Sequence, residues 1–259
     1  MNASTGPAPD APRWRRRLRL LYRAYRYRWK NDPAEIAFVR AQVRPGTIAI
    51  DVGAHKGGYT YWLARGVGPT GRVYAFEPQP LLARNLQQSF DPARVTVENA
   101  GVSDHEGTMQ LHIPTDGRPS PGASLEATST ATATGHAIEV RVITLDRYLR
   151  DLPSLGPAVG FLKCDVEGHE LHVFRGAEQM LRRDHPVLLF ECEQRHHGAQ
   201  PITEVFAHLE SLGYTGQFFH EGRLAPLAEF DVAKHQRATQ QPGYCNNFVF
   251  SAHRASITP

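Results

Sequence analysis

Cysteine is scarce in this 259-residue chain: Cys164, Cys192 and Cys245 are scattered, and no CxxC pair occurs. That excludes a disulfide-stapled scaffold and gives no support to a cysteine-based zinc or redox site. The three read instead as small buried apolar side chains in a reducing compartment. Long apolar runs are also missing, and none approaches the roughly 20 residues that cross a bilayer. The N-terminal stretch MNASTGPAPDAP lacks the charged-then-apolar layout of a secretory signal, so a cytoplasmic protein is expected. Lysine is rare beside arginine, 4 against 25, a bias that goes with GC-rich bacterial genomes.

Acids are absent from one segment. Residues 13–30, RWRRRLRLLYRAYRYRWK, hold eight arginines and one lysine. The whole chain carries +3, so the remainder stands at −6 and the basic balance is local. Within this segment Trp14, Leu18, Leu21, Tyr22, Tyr25 and Trp29 recur at spacings of three or four, the stripe of an amphipathic helix. Three uses fit such a stripe: packing on its own domain or a second subunit, lying on an anionic membrane at its inner face, or gripping single-stranded nucleic acid. No base-reading module accompanies it, so no nucleic-acid partner is expected. Residues 1–12, rich in Pro and Ala, read as a disordered tail.

What is present in quantity is alternation. After a second helix over 32–43, TIAIDV (47–52), RVYAFEP (72–78) and RVTVENA (94–100) read as strands separated by helices over 58–66 and 80–90. Short apolar strands alternating with helices predict an α/β domain with a parallel sheet and right-handed crossovers. GTMQLHIP (107–114) and HAIEVRVI (136–143) interrupt the rhythm as two strands around a long polar loop, 115–135, of the length that lids have. The alternation resumes through VGFLKCD (159–165) and PVLLFECE (186–193), and YTGQFFH and CNNFVFSA close the chain as strands. The expected organisation is a tail (1–12), a basic helical extension (13–46) and one catalytic domain (47–253).

In such a sheet ligands sit beyond the carboxyl ends of the strands, where Asp51, Glu77, Asn99, Asp165, Glu191 and Glu193 stand. The turn after Asp51, GAHKGG, has neither the Gly-x-Gly of a dinucleotide fingerprint nor the GK[ST] of a phosphate loop. Asp51 would repel a pyrophosphate and attract an ammonium or sulfonium. Gly53 and Gly57 allow close backbone approach, and Glu77 can accept hydrogen bonds from ribose hydroxyls. Asn99 and Ala100 can flank an adenine. The segment LKCDVEGHE (162–170) concentrates Asp165, Glu167, His169 and Glu170; His169 or the Asp165 and Glu167 carboxylates could take a proton from a hydroxyl. A divalent metal held by Asp165 and Glu191 is the alternative way to activate it. His196 and His197 read as part of a solvated loop.

Taken together, IDVGAHKGGYT, FEPQP, NAGVSD, TLDRYL, LKCDVEGHE, the strand ending FEC and the late NNFVF resemble the FkbM family of S-adenosylmethionine-dependent methyltransferases, over about 47–250. The resemblance implies a class I, Rossmann-like fold: a seven-stranded, mostly parallel sheet flanked by helices, here with a β-hairpin and loop insertion. It implies O-methylation of a hydroxyl on a sugar, glycolipid or secondary metabolite, with S-adenosylmethionine as cofactor. Asp51, Gly53, Ala54, His55 and Gly57 would hold its methionine part, Glu77 the ribose, and Asn99 with Ala100 the adenine, while Asp165 would face the amino end. His55 departs from the family, which usually has Asn there. The competing reading is a degenerate methyltransferase fold that serves as a scaffold recruited through residues 13–30.

Overall fold

In the computed structural model the residues described are 12–113, 123–126, 136–152, 156–237 and 243–252. Their strands are β1 (Ile48–Val52), β2 (Arg72–Phe76), β3 (Val95–Glu98), β4 (Gly101–Val102), β5 (Gly107–Ile113), β6 (His136–Ile143), β7 (Val159–Cys164), β8 (Val187–Glu191), β9 (Tyr214–His220), β10 (Arg223–Pro226) and β11 (Asn247–Ala252). Helices are α1 (Arg13–Arg26), α2 (Pro33–Gln42), α3 (Gly58–Gly66), α4 (Pro80–Gln87), α5 (Leu145–Arg150), α6 (Glu170–Arg175), α7 (Glu178–Asp184), α8 (Thr203–Ser211) and α9 (Val232–His235). A π-helical turn, Tyr27–Asn31, continues α1.

The main sheet runs β10-β9-β11-β8-β7-β1-β2-β3. Strands β3, β2, β1, β7 and β8 pair in parallel; β11, β9 and β10 are antiparallel. The expected seven-stranded, mostly parallel sheet is therefore corrected to eight strands of mixed direction. The extra strand is β10, which folds back on β9 through Glu221-Gly222, both at positive φ (49° and 76°). It escapes a sequence reading because RLAP is short, does not alternate and ends in proline, which an edge position tolerates.

Both faces of the parallel strands are covered, as βαβ crossovers require. Ile48, Ile50 and Val52 of β1 join the core beneath α6, α7 and α8, while Ala49 packs with Val73, Ala75, Leu63, Trp62 and Ile36 on the opposite face. A second sheet, β4-β6-β5, forms from the expected insertion, with Leu111, Ile113, Leu125, Val140 and Val142 as its own small core. The predicted lid loop and the predicted tail fall mostly outside the described residues. The short stretch 123–126 is the exception, and it lies against the main domain.

Two short helices, α6 and α7, fill the stretch between β7 and β8. Asp146 of α5 makes the break, its carboxylate accepting the Gln179 and Met180 N–H groups at 2.9 and 2.8 Å and closing the start of α7. Helix α1 docks, but by a face other than the predicted stripe. Leu20 and Ala24 are buried, the Trp62 indole donates to the Ala24 carbonyl at 2.9 Å, and Tyr27 meets the Tyr59 ring edge-on at 5.6 Å. Among the described residues no helix is long and apolar enough to cross a membrane.

Candidate active site

Strand order reverses at β1: the chain builds outward through β2 and β3, then returns to lay β7 on the other side of β1. A crevice opens at such a point, beyond the carboxyl ends of the strands. Here it is a cavity of about 280 Å³. Asp51 and Asp165, from the two strands that flank the reversal, both line it.

The turn after β1 is fixed by backbone bonds. Gly53 and Ala54 donate to the Phe76 carbonyl at 2.9 and 3.0 Å, and Asp165 N–H donates to Val52 at 3.0 Å. Gly53 has φ of 78°, and a Cβ there would sit 1.9 Å from the Asp165 carbonyl oxygen. No other residue fits. His55 is also left-handed, at φ 48°. Asn and His are both enriched among non-glycine residues in that region, which explains how the loop tolerates the departure from Asn. The His55 N–H donates to Glu77 Oε2 at 2.7 Å, while its buried Nε2 has no protein partner. Burial, helped by Lys56 and Arg23, pulls this imidazole down to about 4, so it is neutral at pH 7.

Six carboxylates line the cavity: Asp32, Asp51, Glu77, Asp165, Glu167 and Glu191. Asp51 is buried, accepts the Thr60 hydroxyl at 2.5 Å, and is raised by its burial. Glu77 accepts the Gln79 N–H at 2.8 Å as well as that of His55; burial pushes it up to about 7 against those two bonds, with Asp51 and Asp165 adding to the rise. Each carboxylate oxygen keeps a second lone pair for a ligand hydroxyl. Asp165 is raised to about 6, chiefly by its recessed position, although 37 % of its side chain is accessible.

Lys163 is the residue that sequence reading missed. It is 2 % exposed, donates to the Cys164 carbonyl at 3.1 Å, lies 3.7 Å from Asp165 and stands 5.0 Å over the Tyr59 ring. Burial alone would lower its pKa, but Asp165, Glu191 and Asp51 outweigh that and raise it, so the ammonium keeps its charge. Its ammonium supplies positive charge among the carboxylates, Asp165 and Glu191, that were the expected holders of a divalent metal. The signal was there: a lysine inside an apolar strand is buried only when paired.

Five expectations need correction. His169 is outside the cavity lining; its Nδ1 pairs with Glu126 at 2.6 Å and its Nε2 with the buried Ser103 hydroxyl at 2.9 Å, so both nitrogens are engaged within the protein and neither faces the cavity. Asn99 spends its amide on the Glu77 and Pro78 carbonyls, both at 2.9 Å, and pins that turn instead of facing a ligand; Ala100 does line the cavity. Gly57 serves packing: at φ 80°, a Cβ would meet Leu86 at 2.7 Å behind the loop. His196 and His197 do not float in a solvated loop. His197 pairs with buried Glu170 at 2.9 Å, and His196 lies 2.8 Å from Glu167, bracing the 165–170 turn. Glu193 is likewise spent, held down to about 2: burial works the other way, but its bonds to Arg195 and Tyr244 prevail.

Among the described residues, two groups of metal-ligating type, Glu126–His169–His172 and Glu170–Cys192–His197, bring their ligand atoms within 4.8 Å of one another. The first ties the insertion to the main domain, and Ser124 adds a bond to the Glu167 carbonyl at 2.6 Å. All three cysteines are buried and free, as expected.

The family pattern described as the methyltransferase FkbM domain matches residues 51–215, which includes Asp51 at the end of β1, the turn, Glu77 and the 162–170 segment. A catechol O-methyltransferase of Mycobacterium tuberculosis is 44 % identical over 55 residues, 21 % of this chain and 22 % of that protein. The chain thus spans about a fifth of the length of the curated relative it matches. Among solved structures, a provisionally assigned rRNA methylase of Clostridium thermocellum superposes with a TM-score of 0.50 at 13 % identity, covering 85 % of this chain and 93 % of that one. An FkbM methyltransferase of Methylobacillus flagellatus gives 0.49 at 16 %, covering 91 % and 54 %. The former likeness supports a Rossmann-like α/β methyltransferase fold.

Proposed function

The chain belongs to the methyltransferase FkbM family, and from that premise we propose that it is an S-adenosylmethionine-dependent O-methyltransferase acting on a hydroxyl of a sugar, glycolipid or secondary metabolite. The observation that carries this reading is the acid-lined cavity at the β1–β7 reversal. A cation about 4 Å from one such carboxylate gains on the order of 4 kcal/mol at a surface-like dielectric, where a pyrophosphate would be repelled by as much.

The residues fit the cofactor. Gly53 lines the cavity and lets the backbone of β1 approach that of Asp165, the orphaned His55 Nε2 lacks a partner, and Glu77 has lone pairs to spare for two ribose hydroxyls. S-adenosylmethionine supplies the methyl group as a sulfonium. Asp51 and Asp165 balance the cationic methionine end, the turn 53–55 and Gly58 line its path, and Ala100 with Val102 forms an apolar wall for the base. Lys163 limits the negative field. That matters because a site which held a sulfonium too tightly would stabilise it against giving up its charge.

Asp165, raised to about 6 and accessible from the cavity, takes the hydroxyl proton at its carboxylate, with Glu167 beside it. Leu111, Ala123 and Leu125 line the cavity from the insertion side and help exclude water. The test is transfer of label from methyl-labelled cofactor to panels of sugars, glycolipids and phenolic metabolites. A hydroxyl acceptor should be labelled equally with and without chelator. Asp165→Asn should lower kcat by about 10²–10⁴, and His169→Gln should leave it within about threefold once corrected for folded fraction. Label that ends only on nitrogen or carbon, or activity abolished by chelator, would refute this reading.

A further inference from the structure

Six large hydrophobic side chains are markedly exposed among the described residues, and five of them lie on one segment: Trp14 (60 %), Leu18 (56 %), Tyr22 (67 %), Tyr25 (42 %) and Trp29 (70 %). They follow one another at intervals of three or four. On α1 and the π-helical turn that continues it they form one outward stripe, across the helix from the buried Leu20 and Ala24; half-exposed Tyr25 at its margin also meets the Trp62 ring edge-on at 5.4 Å. Two apolar faces on one helix mean that folding satisfies one and leaves the other in water. A contiguous exposed patch of this kind marks an interaction surface.

Charge decides what the surface meets. The exposed Arg15, Arg19 and Arg26 border the stripe on one side and Arg17 on the other, with no acid between residues 13 and 30. Arg15 and Arg28 lean their guanidiniums over Trp14 and Trp29, 5.1 and 4.7 Å from the ring centres. Apolar and aromatic groups in the middle with arginine along both margins is the layout of a helix that lies in a bilayer interface. A protein partner would need a matching acidic rim. A single strand of nucleic acid is gripped by rings and cations mixed along a groove, whereas here they are segregated on an outward helix face. Beside the stripe, a cleft of about 1010 Å³ is walled by Leu21, Tyr61 and Phe90, with Arg17, Arg65 and Asp91 exposed at its edge.

We propose that α1 is a peripheral docking face for an anionic phospholipid membrane. The rings and Leu18 enter the interface while the arginines meet the headgroups. The same segment runs on into the π-helical turn, whose Tyr27 and Asn31 line the cavity, so the docked helix is continuous with the wall of the site. Membrane contact is made by the side of the molecule whose charge opposes that of the acidic cavity.

The test is flotation of the full chain with vesicles of phosphatidylcholine alone and with about 30 % phosphatidylglycerol, followed by tryptophan fluorescence. Binding should need the anionic lipid, shift the emission to the blue, and fall by at least about tenfold from 0.1 to 0.5 M salt. Trp14→Ser/Leu18→Ser/Tyr22→Ser should lose at least about tenfold in partitioning. Arg15→Gln/Arg19→Gln/Arg26→Gln should lose on the order of 10²-fold, from roughly fivefold per basic residue. All six positions are exposed, and unchanged circular dichroism and thermal midpoint confirm folding of each variant. The idea fails if folded wild type ignores anionic vesicles, if the variants bind as well as wild type, or if the same substitutions instead dissolve a dimer or abolish binding to single-stranded RNA. No cofactor or substrate enters the measurement, so its failure leaves the methyl-transfer reading standing, and failure of that reading leaves vesicle binding intact.

Discussion

Gly53 shows how much a single residue can decide. Its missing side chain lets β1 and β7 come together where the cavity begins, with the Asp165 carbonyl occupying the place of a Cβ. Gly53→Ala combines a backbone clash with an unfavourable φ, and should cost about 2–4 kcal/mol; thermal unfolding should show the drop, and calorimetry the loss of cofactor affinity. Glu77 acts through its charge. Raised to about 7, it is protonated at low pH, and a protonated carboxyl cannot accept two ribose hydroxyls with both oxygens. Affinity for S-adenosylhomocysteine should therefore rise by about tenfold from pH 6 to pH 8, as the carboxylate forms. Glu77→Gln should bind more weakly and lose most of that slope. The position of Asp51, Gly53 and Glu77 at the cavity was readable because each sits at or just past the end of a strand. Asn99 and His169 were misread because their side chains are spent on partners distant in sequence, Pro78, Ser103 and Glu126, and Gly57 because its bare Cα leaves room for the distant Leu86.

At the scale of elements, periodicity placed the core strands and most helices within a few residues, since burial on two faces leaves long apolar runs with sharp polar ends. It failed where a third partner decides. Periodicity in 13–30 correctly gave a helix, but the richer of its two apolar stripes faces outward, and the poorer one, Leu20 and Ala24, packs on Trp62. The fit of that face to α3, and of the Tyr27 ring against Gly58, is three-dimensional information. Leu20→Ala should accordingly destabilise the fold by about 2–3 kcal/mol, whereas Leu18→Ala should change it by less than about 0.5 kcal/mol; denaturant titrations of the two variants compare them directly. The Glu126 link between the insertion and His169 lay equally beyond reach, because 43 residues separate the partners.

The whole molecule is electrically divided. Nine cations crowd residues 13–30, while the remaining chain is net negative and gathers six carboxylates in one cavity. Such a cavity recruits a cationic ligand, and Lys163 keeps its field from becoming excessive. The acids were legible in sequence, but the buried lysine that pairs with them was not. The central claim, that this cavity is built for a sulfonium-type cofactor and not a dinucleotide, is tested most directly by calorimetric titration of the full chain at pH 8 with S-adenosylmethionine, S-adenosylhomocysteine and NADH. Saturable one-to-one binding of the first two, weakened at least about tenfold by Glu77→Gln, with no heat from NADH, is the predicted result. Binding of NADH in their place, or no binding of either adenosyl compound by folded protein, would contradict it.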